Sequence, residues 1–137
     1  MGIHYGIITK LLNGLYTLRI LYKNKGELKM IKCNPVKVKR QLKSMSAYVY
    51  IMADGAEVLK SYDTVVAISL PDGKTAFSAF WTSTDGSNTT KRHIIEWAGT
   101  YIKDIREGLK DHTYKTLEEL DKNYLRAIST AVGGRIG

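Results

Sequence analysis

A serine, an aspartate and a histidine in the middle of the chain are the residues best suited to catalysis. Ser61 and Asp63 stand close together, and His93 follows later. A histidine can take the proton of a serine hydroxyl, and a carboxylate can orient that histidine. The order and spacing of these three residues match no established triad, and such sets occur by chance in most domains. The sequence therefore predicts no catalytic residue and favours a protein that is not an enzyme.

A second group of residues could bind an anion at the beginning of a predicted helix. The group is Thr89, Thr90, Lys91 and Arg92, directly before His93. The free amides and positive partial charge of a helix N-terminus attract anions, and the two cations would add to this. These residues indicate a possible site for a small anionic ligand such as a nucleotide. The alternative is two capping threonines followed by solvated charges.

Positive charge is concentrated near the N-terminus. The chain has 21 basic and 13 acidic residues, a formal net charge of +8, and residues 19–43 carry all of this excess because Glu27 is their one acid. The basic residues there are Arg19, Lys23, Lys25, Lys29, Lys32, Lys37, Lys39, Arg40 and Lys43. Such a concentration is typical of a surface that meets nucleic acid or an acidic protein. The alternative is a solvated face that protects a strand edge from aggregation.

Aromatic residues could add base stacking to this surface. The tyrosines interleaved with or close to the basic segment are Tyr16, Tyr22, Tyr48 and Tyr50. A strand over residues 75–82 would also place Phe77 and Trp81 on one face, either in the core or free to stack bases. These patterns are generic signals for nucleic-acid binding, since no specific RNA-binding or zinc motif accompanies them.

Metal and cofactor chemistry find little support in the sequence. The histidines are isolated, and Cys33 is the single cysteine, so neither zinc spacing nor a disulfide is present. There is no phosphate-binding glycine motif, so we expect neither a metal nor a cofactor. No apolar run is long enough to span a bilayer, and no signal peptide is recognisable. We therefore expect a cytoplasmic protein without a membrane partner, with Cys33 in the core.

The N-terminal third has the pattern of a β-meander followed by a short helix. Strands are predicted over residues 7–12, 15–22 and 27–33, with turns at Asn13-Gly14 and at residues 24–26. Asn34-Pro35 then suits the beginning of a helix, whose stripe would be Val38, Leu42 and Met45. The alternation of valine and lysine at residues 36–39 fits a strand equally, but the helix is preferred.

The remainder of the chain predicts strands first and helices last. Strands are expected over residues 47–52, 56–70 with a bend near residues 61–63, and 75–82. One helix should extend to Lys110, and a second should begin at Thr116, with Glu119 completing a capping box, and end at Gly133-Gly134 before a frayed tail. The predicted fold class is α+β: an antiparallel sheet, made of the N-terminal meander and a second hairpin, packed on one face against two C-terminal helices.

The domain prediction is a single domain over residues 1–137. Within it, residues 1–46 form the basic meander and short helix, and residues 47–132 form a strand-turn-strand unit followed by two helices. A homodimer is possible, because a sheet edge or the tyrosine-rich surface could pair two copies.

Residues 59–99 resemble small uncharacterised proteins of phages and mobile elements. The resemblance is carried by residues 61–67 (Ser-Tyr-Asp-Thr-Val-Val-Ala), the Asp72-Gly73 turn, an aromatic strand end, and residues 89–94 opening a helix. It implies a strand-turn-strand-helix module and a viral or mobile-element origin, and it implies no activity.

The combined expectation is a non-enzymatic phage-type accessory protein. It would bind nucleic acid, or a nucleic-acid-binding host protein, through the basic segment. One concrete version is an anti-CRISPR-like inhibitor of a host nuclease defence, acting in the host cell cytoplasm. The alternative is a module that binds a nucleotide at residues 89–93.

Overall fold

The computed structural model describes residues 7–12, 16–22 and 28–137, with residues 7–32 described by their backbone alone. The strands are β1 Ile7–Leu12, β2 Tyr16–Tyr22, β3 Leu28–Cys33, β4 Val36–Gln41, β5 Ala47–Met52, β6 Glu57–Ser61, β7 Thr64–Ser69, β8 Thr75–Phe77, β9 Lys115–Thr116 and β10 Arg135–Ile136. The helices are α1 Ala79–Thr82, α2 Asn88–Ala98, α3 Ile102–Lys110 and α4 Lys122–Val132, with a 3-10 helix at Leu117–Glu119.

The N-terminal meander is confirmed. Strands β1, β2 and β3 form an antiparallel three-stranded sheet in chain order. Their bounds agree with the predicted strands to within one residue. The turn residues Asn13-Gly14 and 24–26 lie outside the described residues.

A second, larger sheet holds the rest of the fold. Its strand order is β4-β5-β6-β7-β8-β9, and β10 pairs with β7. The pairs are antiparallel except β8 with β9 and β7 with β10, which are parallel. The α+β class is therefore confirmed, with a mostly antiparallel sheet. The predicted bend near residues 61–63 is the turn of the β6–β7 hairpin.

The predicted helix after Pro35 is wrong, because residues 36–41 form strand β4. This strand pairs with β5, with a bulge between Val36 and Val38. Two members of the supposed helical stripe are solvent-exposed, Val38 by 53% and Met45 by 81%. Backbone pairing with β5 therefore decides this conformation, and the apolar spacing does not correspond to a buried helix face.

The prediction that both helices pack on one face is also wrong. Side chains of β5, β6 and β7 are buried on both faces of the sheet. On one face Val58 and Val65 pack with Leu117 and Ile128 of the C-terminal helices. On the opposite face the core of the sheet packs against α2 and α3, including Ile94 and Ile105. Nearly continuous apolar strands need cover on both sides, so the helices divide between them.

Local breaks explain the differences within the helices. The first predicted helix is divided into α2 and α3 at Gly99, which ends α2 in a left-handed conformation with a φ of 69°. The predicted capping box of Thr116 and Glu119 is confirmed, but it caps the 3-10 helix. Asp121 then caps the N-terminus of α4, and Gly133 caps its C-terminus with a φ of 68°. Glycine adopts this φ without a Cβ clash, which is why both helices end there.

Two further predictions need correction. The strand expected over residues 75–82 ends at Phe77, where Ser78 begins helix α1 and accepts a hydrogen bond from the Trp81 amide. The tail is not frayed, because it forms β10 beside β7. The amide of Gly137 donates to the carbonyl of Val65 at 2.9 Å. Backbone pairing with the sheet holds the tail in place.

The turn between β5 and β6 is joined to α4 through Asp54. Its Oδ1 accepts from the amide of Ala56 at 2.9 Å, and its Oδ2 accepts from the hydroxyl of Tyr124 at 2.7 Å. Asp54 is buried. A buried carboxyl group needs such donors, so this contact fixes the helix on that face of the sheet.

We expect Tyr124→Phe to lower the free energy of unfolding by about 1–3 kcal/mol, because Asp54 loses a donor inside the protein. Urea denaturation of the two proteins measures this difference. The matched control is Tyr101→Phe, since Tyr101 is solvent-exposed, and its change should stay within about 0.5 kcal/mol. Equal stabilities of the Tyr124→Phe variant and the parent chain would contradict the prediction.

Candidate functional site

The predicted basic surface is described in part. Arg19 lies on β2, and Lys29 and Lys32 lie on β3, where the backbone alone is described. Lys23 and Lys25 lie outside the described residues. The other four cations are brought together on β4 and the residues directly after it, and we name this set the basic edge: Lys37, Lys39, Arg40 and Lys43.

The basic edge lies at the border of the larger sheet. Strand β4 is the first strand in the order of the described sheet and pairs with β5. All four cations are solvent-exposed, and no acidic residue occurs between Glu27 and Asp54. Lys39 stands opposite Tyr50 and Arg40 opposite Val49, so neighbouring cations extend from opposite faces of the sheet. The edge therefore presents positive charge on both sides.

One cation of the basic edge, Lys39, makes cation–π contacts with two tyrosine rings. The Lys39 ammonium lies 4.5 Å from the ring centre of Tyr48 and 5.7 Å from that of Tyr50. Lys60 approaches the Tyr50 ring at 5.2 Å and also donates to the carbonyl of Val132 at the end of α4. Contacts of this kind hold the lysine ammonium groups over the rings.

The tyrosines are not a free stacking platform. Tyr50 is 4% exposed, and Tyr48 is half-buried beneath Lys39. Tyr16 and Tyr22 lie on β2, whose side chains are outside the description. The described rings therefore position cations and support the core, which differs from the base stacking that the sequence suggested.

Within the part of the chain that the structure describes, one acidic residue reaches the basic edge from a neighbouring strand. Glu57 on β6 lies 3.5 Å from the guanidinium of Arg40, and its other oxygen accepts from the indole N–H of Trp97 at 3.0 Å. The Arg40–Glu57 pair is exposed enough to be screened by solvent, so it adds little stability. One carboxylate against four cations leaves the edge strongly positive.

The possible anion site at the start of α2 has a different geometry from the predicted one. Ser87 caps the helix and accepts from the amide of Thr90 at 3.2 Å. Thr90 is buried, with its hydroxyl 3.1 Å from that of Ser61. Thr89 and Arg92 are exposed, and Lys91 is half-buried. The hydroxyl of Thr90 therefore contacts another side chain of the protein and is not available to an anion. Anion binding by Thr89, Lys91 and Arg92 stays a prediction.

The structure brings Ser61 and His93 together, but not Asp63. The Ser61 hydroxyl lies 2.7 Å from Nδ1 of His93, and Nε2 of His93 lies 2.7 Å from the hydroxyl of Ser44. Asp63 instead pairs with Arg135 at 3.2 Å, and the hydrogen bond and charge of Arg135 hold the pKa of Asp63 below its ordinary range. The considered set of three is therefore not assembled.

The serine–histidine contacts form a buried bracket, which we define as Ser44, Ser61, Thr90 and His93. Ser61 and His93 are each 2% exposed. A hydroxyl can donate or accept, so both ring nitrogens are satisfied whichever of them carries the proton. The bracket ties the β4–β5 loop and β6 to helix α2. Ser44 was missed by sequence reasoning, because nothing local marks it as the partner of a distant histidine.

The environment of His93 favours its neutral form. Burial lowers its pKa below the ordinary value of 6.5, and the charge of Glu96 opposes this in part. Desolvation disfavours the charged imidazolium, which is the physical cause of the shift. The bracket is therefore built around a neutral ring at neutral pH.

The other aromatic prediction is wrong in its geometry. Phe77 is buried, with its ring edge-on to those of Trp97 and Tyr114. Trp81 belongs to helix α1 and packs edge-on with the exposed Phe80. Because α1 replaces the end of the predicted strand, Phe77 and Trp81 do not share a strand face.

Metal sites and membrane spans were searched within the described part of the chain. No group of three histidine, cysteine, aspartate or glutamate side chains there could hold a metal ion. Cys33 is half-buried and is a free thiol. None of the described helices is long and apolar enough to cross a membrane.

The neutral His93 predicts a pH dependence of stability. On acidification the unfolded chain takes up a proton near pH 6.5, while the folded chain does so at lower pH. The free energy of unfolding should therefore fall as pH is lowered through roughly 6.5, by at most about 1.4 kcal/mol per pH unit, and level off below the folded pKa. Urea denaturation between about pH 5 and 8 measures this slope.

Two variants test whether His93 causes the dependence of the free energy of unfolding on pH. His93→Gln should flatten it, whatever the variant costs in stability at neutral pH. His112→Asn should leave it unchanged, because His112 is exposed and asparagine tolerates its φ of 64°. A slope that persists in His93→Gln would show that other groups cause it.

Comparisons with known proteins give the chain a family. No curated protein and no solved structure matches it. A family model described as a family of unknown function, DUF8033, matches residues 19–117. The match includes the whole basic segment 19–43, the last part of β2, the strands from β3 to β9, and helices α1 to α3. Because it covers more than half of the 137 residues, the chain belongs to the DUF8033 family.

Proposed function

We propose that this protein is a non-enzymatic accessory protein that binds the phosphate backbone of a nucleic acid through the basic edge. The observation that carries the proposal is the cluster of four exposed cations on and after one border strand, without an acid in the same stretch. Phosphate contacts made by lysine and arginine supply most of the affinity of sequence-independent nucleic-acid binding.

The shape of the edge supports an extended phosphate chain as its partner. Side chains of a strand alternate between faces, and consecutive residues are about 3.3 Å apart. Lys39 and Arg40 therefore extend from opposite faces of one border, where a single backbone could be contacted from both sides. Lys39 is already held over Tyr48, so it loses less conformational freedom on binding than an unsupported lysine.

Recognition at this edge should be independent of base sequence. Tyr50 is buried and Tyr48 is covered by Lys39, so the described rings beside the cations are poorly placed to stack bases. Contacts to phosphate fix position and orientation but carry no sequence information. We therefore propose general affinity for DNA or RNA.

An acidic host protein would meet the same electrostatic requirement. The phage-type origin is a proposal that rests on the resemblance of residues 59–99. The inhibition of a host nuclease defence is a separate proposal, and it rests on the chain being small, basic and without a catalytic motif. In that version of the function, the same cations of the basic edge would contact carboxylates of the host protein in place of phosphates. The binding experiment separates the two partners, since the protein version predicts no affinity for free DNA or RNA.

We expect Lys39→Gln/Lys43→Gln to weaken binding to a labelled oligonucleotide and to reduce its salt dependence. With about four phosphate contacts, the slope of log K against log salt should be roughly −3 to −4 and should become less steep by about one for each lost contact. Fluorescence anisotropy with single-stranded DNA, single-stranded RNA and duplex DNA, at about 50 to 200 mM salt, measures both quantities.

The matched control is Lys103→Gln/Lys110→Gln, which removes the same charge from exposed positions on α3. It should leave the affinity close to that of the parent chain. Equal losses in the two double variants would assign binding to net charge and not to the basic edge. Absence of binding to all three nucleic acids at low salt would overturn the proposal.

A further inference from the structure

A cleft of about 210 Å³ opens at the end of β6 opposite to the buried bracket. Ser61, at one end of this strand, is held to the first turn of α2, whereas Glu57, at the other end, lies beside the last turn. The cleft is bordered by one carboxylate, three aromatic rings and several hydroxyl groups. Its main lining residues are Glu57, Ser69, Thr75, Phe77, Trp97 and Tyr114.

The aromatic lining is held rigidly in place. The ring centre of Phe77 lies 6.1 Å from that of Trp97 and 5.0 Å from that of Tyr114, with both pairs at 75°. Tyr114 packs directly on Gly108, where a Cβ would collide with its ring. Rings fixed in this way offer apolar surface and attract cations over their faces.

One negative charge borders the cleft, although the protein is strongly basic. The carboxylate of Glu57 is oriented by the indole N–H of Trp97 at 3.0 Å. Helix α2 ends beside it at Ala98, and its last carbonyl groups carry a negative partial charge. One carboxylate and the negative end of a helix dipole therefore face the same aromatic cleft.

A cation of the chain itself already lies at this carboxylate. The guanidinium of Arg40 approaches Glu57 at 3.5 Å, at the long end of an ion pair, and its side chain is 57% exposed. Such a pair is weak and easily exchanged. Arg40 therefore shows which chemistry the carboxylate accepts, and a ligand that also fills the cleft would gain aromatic contacts that Arg40 lacks.

We propose that the cleft binds a small organic cation, an alkylguanidinium, in competition with Arg40. Glu57 accepts the hydrogen bonds of the guanidinium group, and the alkyl portion packs against Trp97 and Tyr114. The flat guanidinium group suits a carboxylate between aromatic walls, because it combines directed donors with weak hydration. This proposal does not depend on nucleic-acid binding by the basic edge.

Titration with butylguanidinium tests the proposal, followed by the two indole N–H signals in a ¹H–¹⁵N spectrum. The Trp81→Phe variant assigns these signals, since the chain has two tryptophans. The Trp97 signal should shift in a saturable manner, and the Trp81 signal should not. Butylurea, a neutral probe of the same shape, should cause no saturable shift at constant ionic strength.

Two variants make the test specific. Glu57→Gln keeps an acceptor for Trp97 but removes the charge, so affinity should fall about tenfold or more. Arg40→Gln removes the competing cation, so affinity should rise severalfold. The remaining amide signals check that both variants are folded, and Arg40→Gln tests the site with Glu57 intact.

Three results would overturn the proposal. The first is a Trp97 indole signal of the parent chain that does not shift, or whose shift does not saturate, as butylguanidinium is added. The second is equal binding of butylurea and butylguanidinium. The third is an affinity that Arg40→Gln leaves unchanged or lowers. Loss of nucleic-acid binding in the lysine variants would leave each of these measurements unaffected, so the two proposals fail separately.

Discussion

Strands β5, β6 and β7 are apolar on both faces, and this constraint determines most of the structure. Val58 and Val65 are fully buried on one side, and Leu59 and Val66 on the other. Burying a side chain of this size contributes about 1.5–3 kcal/mol to the free energy of folding, and exposure to water on either face would lose that contribution. Both faces must therefore be covered. The C-terminal helix covers one, and α2 and α3 cover the other, so the chain after β8 has to divide between the two sides.

The same constraint leaves strand β4 as the place where charge can collect. Central strands leave little room for lysine, and Lys60 on β6 is accommodated there because its ammonium donates to the carbonyl of Val132. A border strand has free side chains along its length. Charged border strands also resist edge-to-edge aggregation, which is sufficient reason for some lysines there. That role does not require an arginine paired with Glu57 or a lysine fixed over two tyrosine rings. The protective role therefore leaves these two contacts unexplained.

Local patterns were sufficient for much of the fold. Alternation and turn residues gave the meander, the β5 strand, the bend near residues 61–63 and the end of α4 at Gly133. They did not show that this bend divides the stretch 56–70 into the paired strands β6 and β7. The helix prediction for residues 36–45 failed because the spacing of the valines suits both a helix and a strand. Pairing with β5 decides between the two, and that contact cannot be read from the local sequence. Gly99 divides a helix that apolar spacing alone would continue. The capping box at Thr116 is real, but a 3-10 helix uses it before Asp121 caps the N-terminus of α4.

The candidate sites depend even more on contacts that are distant in sequence. The basic edge could be predicted from the sequence, because its cations lie close together along the chain in a segment with few acidic residues. The Ser44–His93 contact could not, since 49 residues separate its partners. The cleft at Glu57 likewise needs four separate parts of the chain, which contribute Glu57, Phe77, Trp97 and Tyr114.

Glu57 connects the two proposed surfaces physically. One of its oxygens faces Arg40 of the basic edge, and the other accepts from Trp97 at the cleft. A cation in the cleft would compete for the first oxygen and free Arg40, which would make the edge more positive towards phosphate. Binding free energies that share one group are reciprocal, so phosphate on Arg40 would in turn favour a cation at Glu57. This coupling free energy is small, because the Arg40–Glu57 ion pair is exposed and screened by solvent. Breaking a pair that stabilises the protein little changes the free energy little.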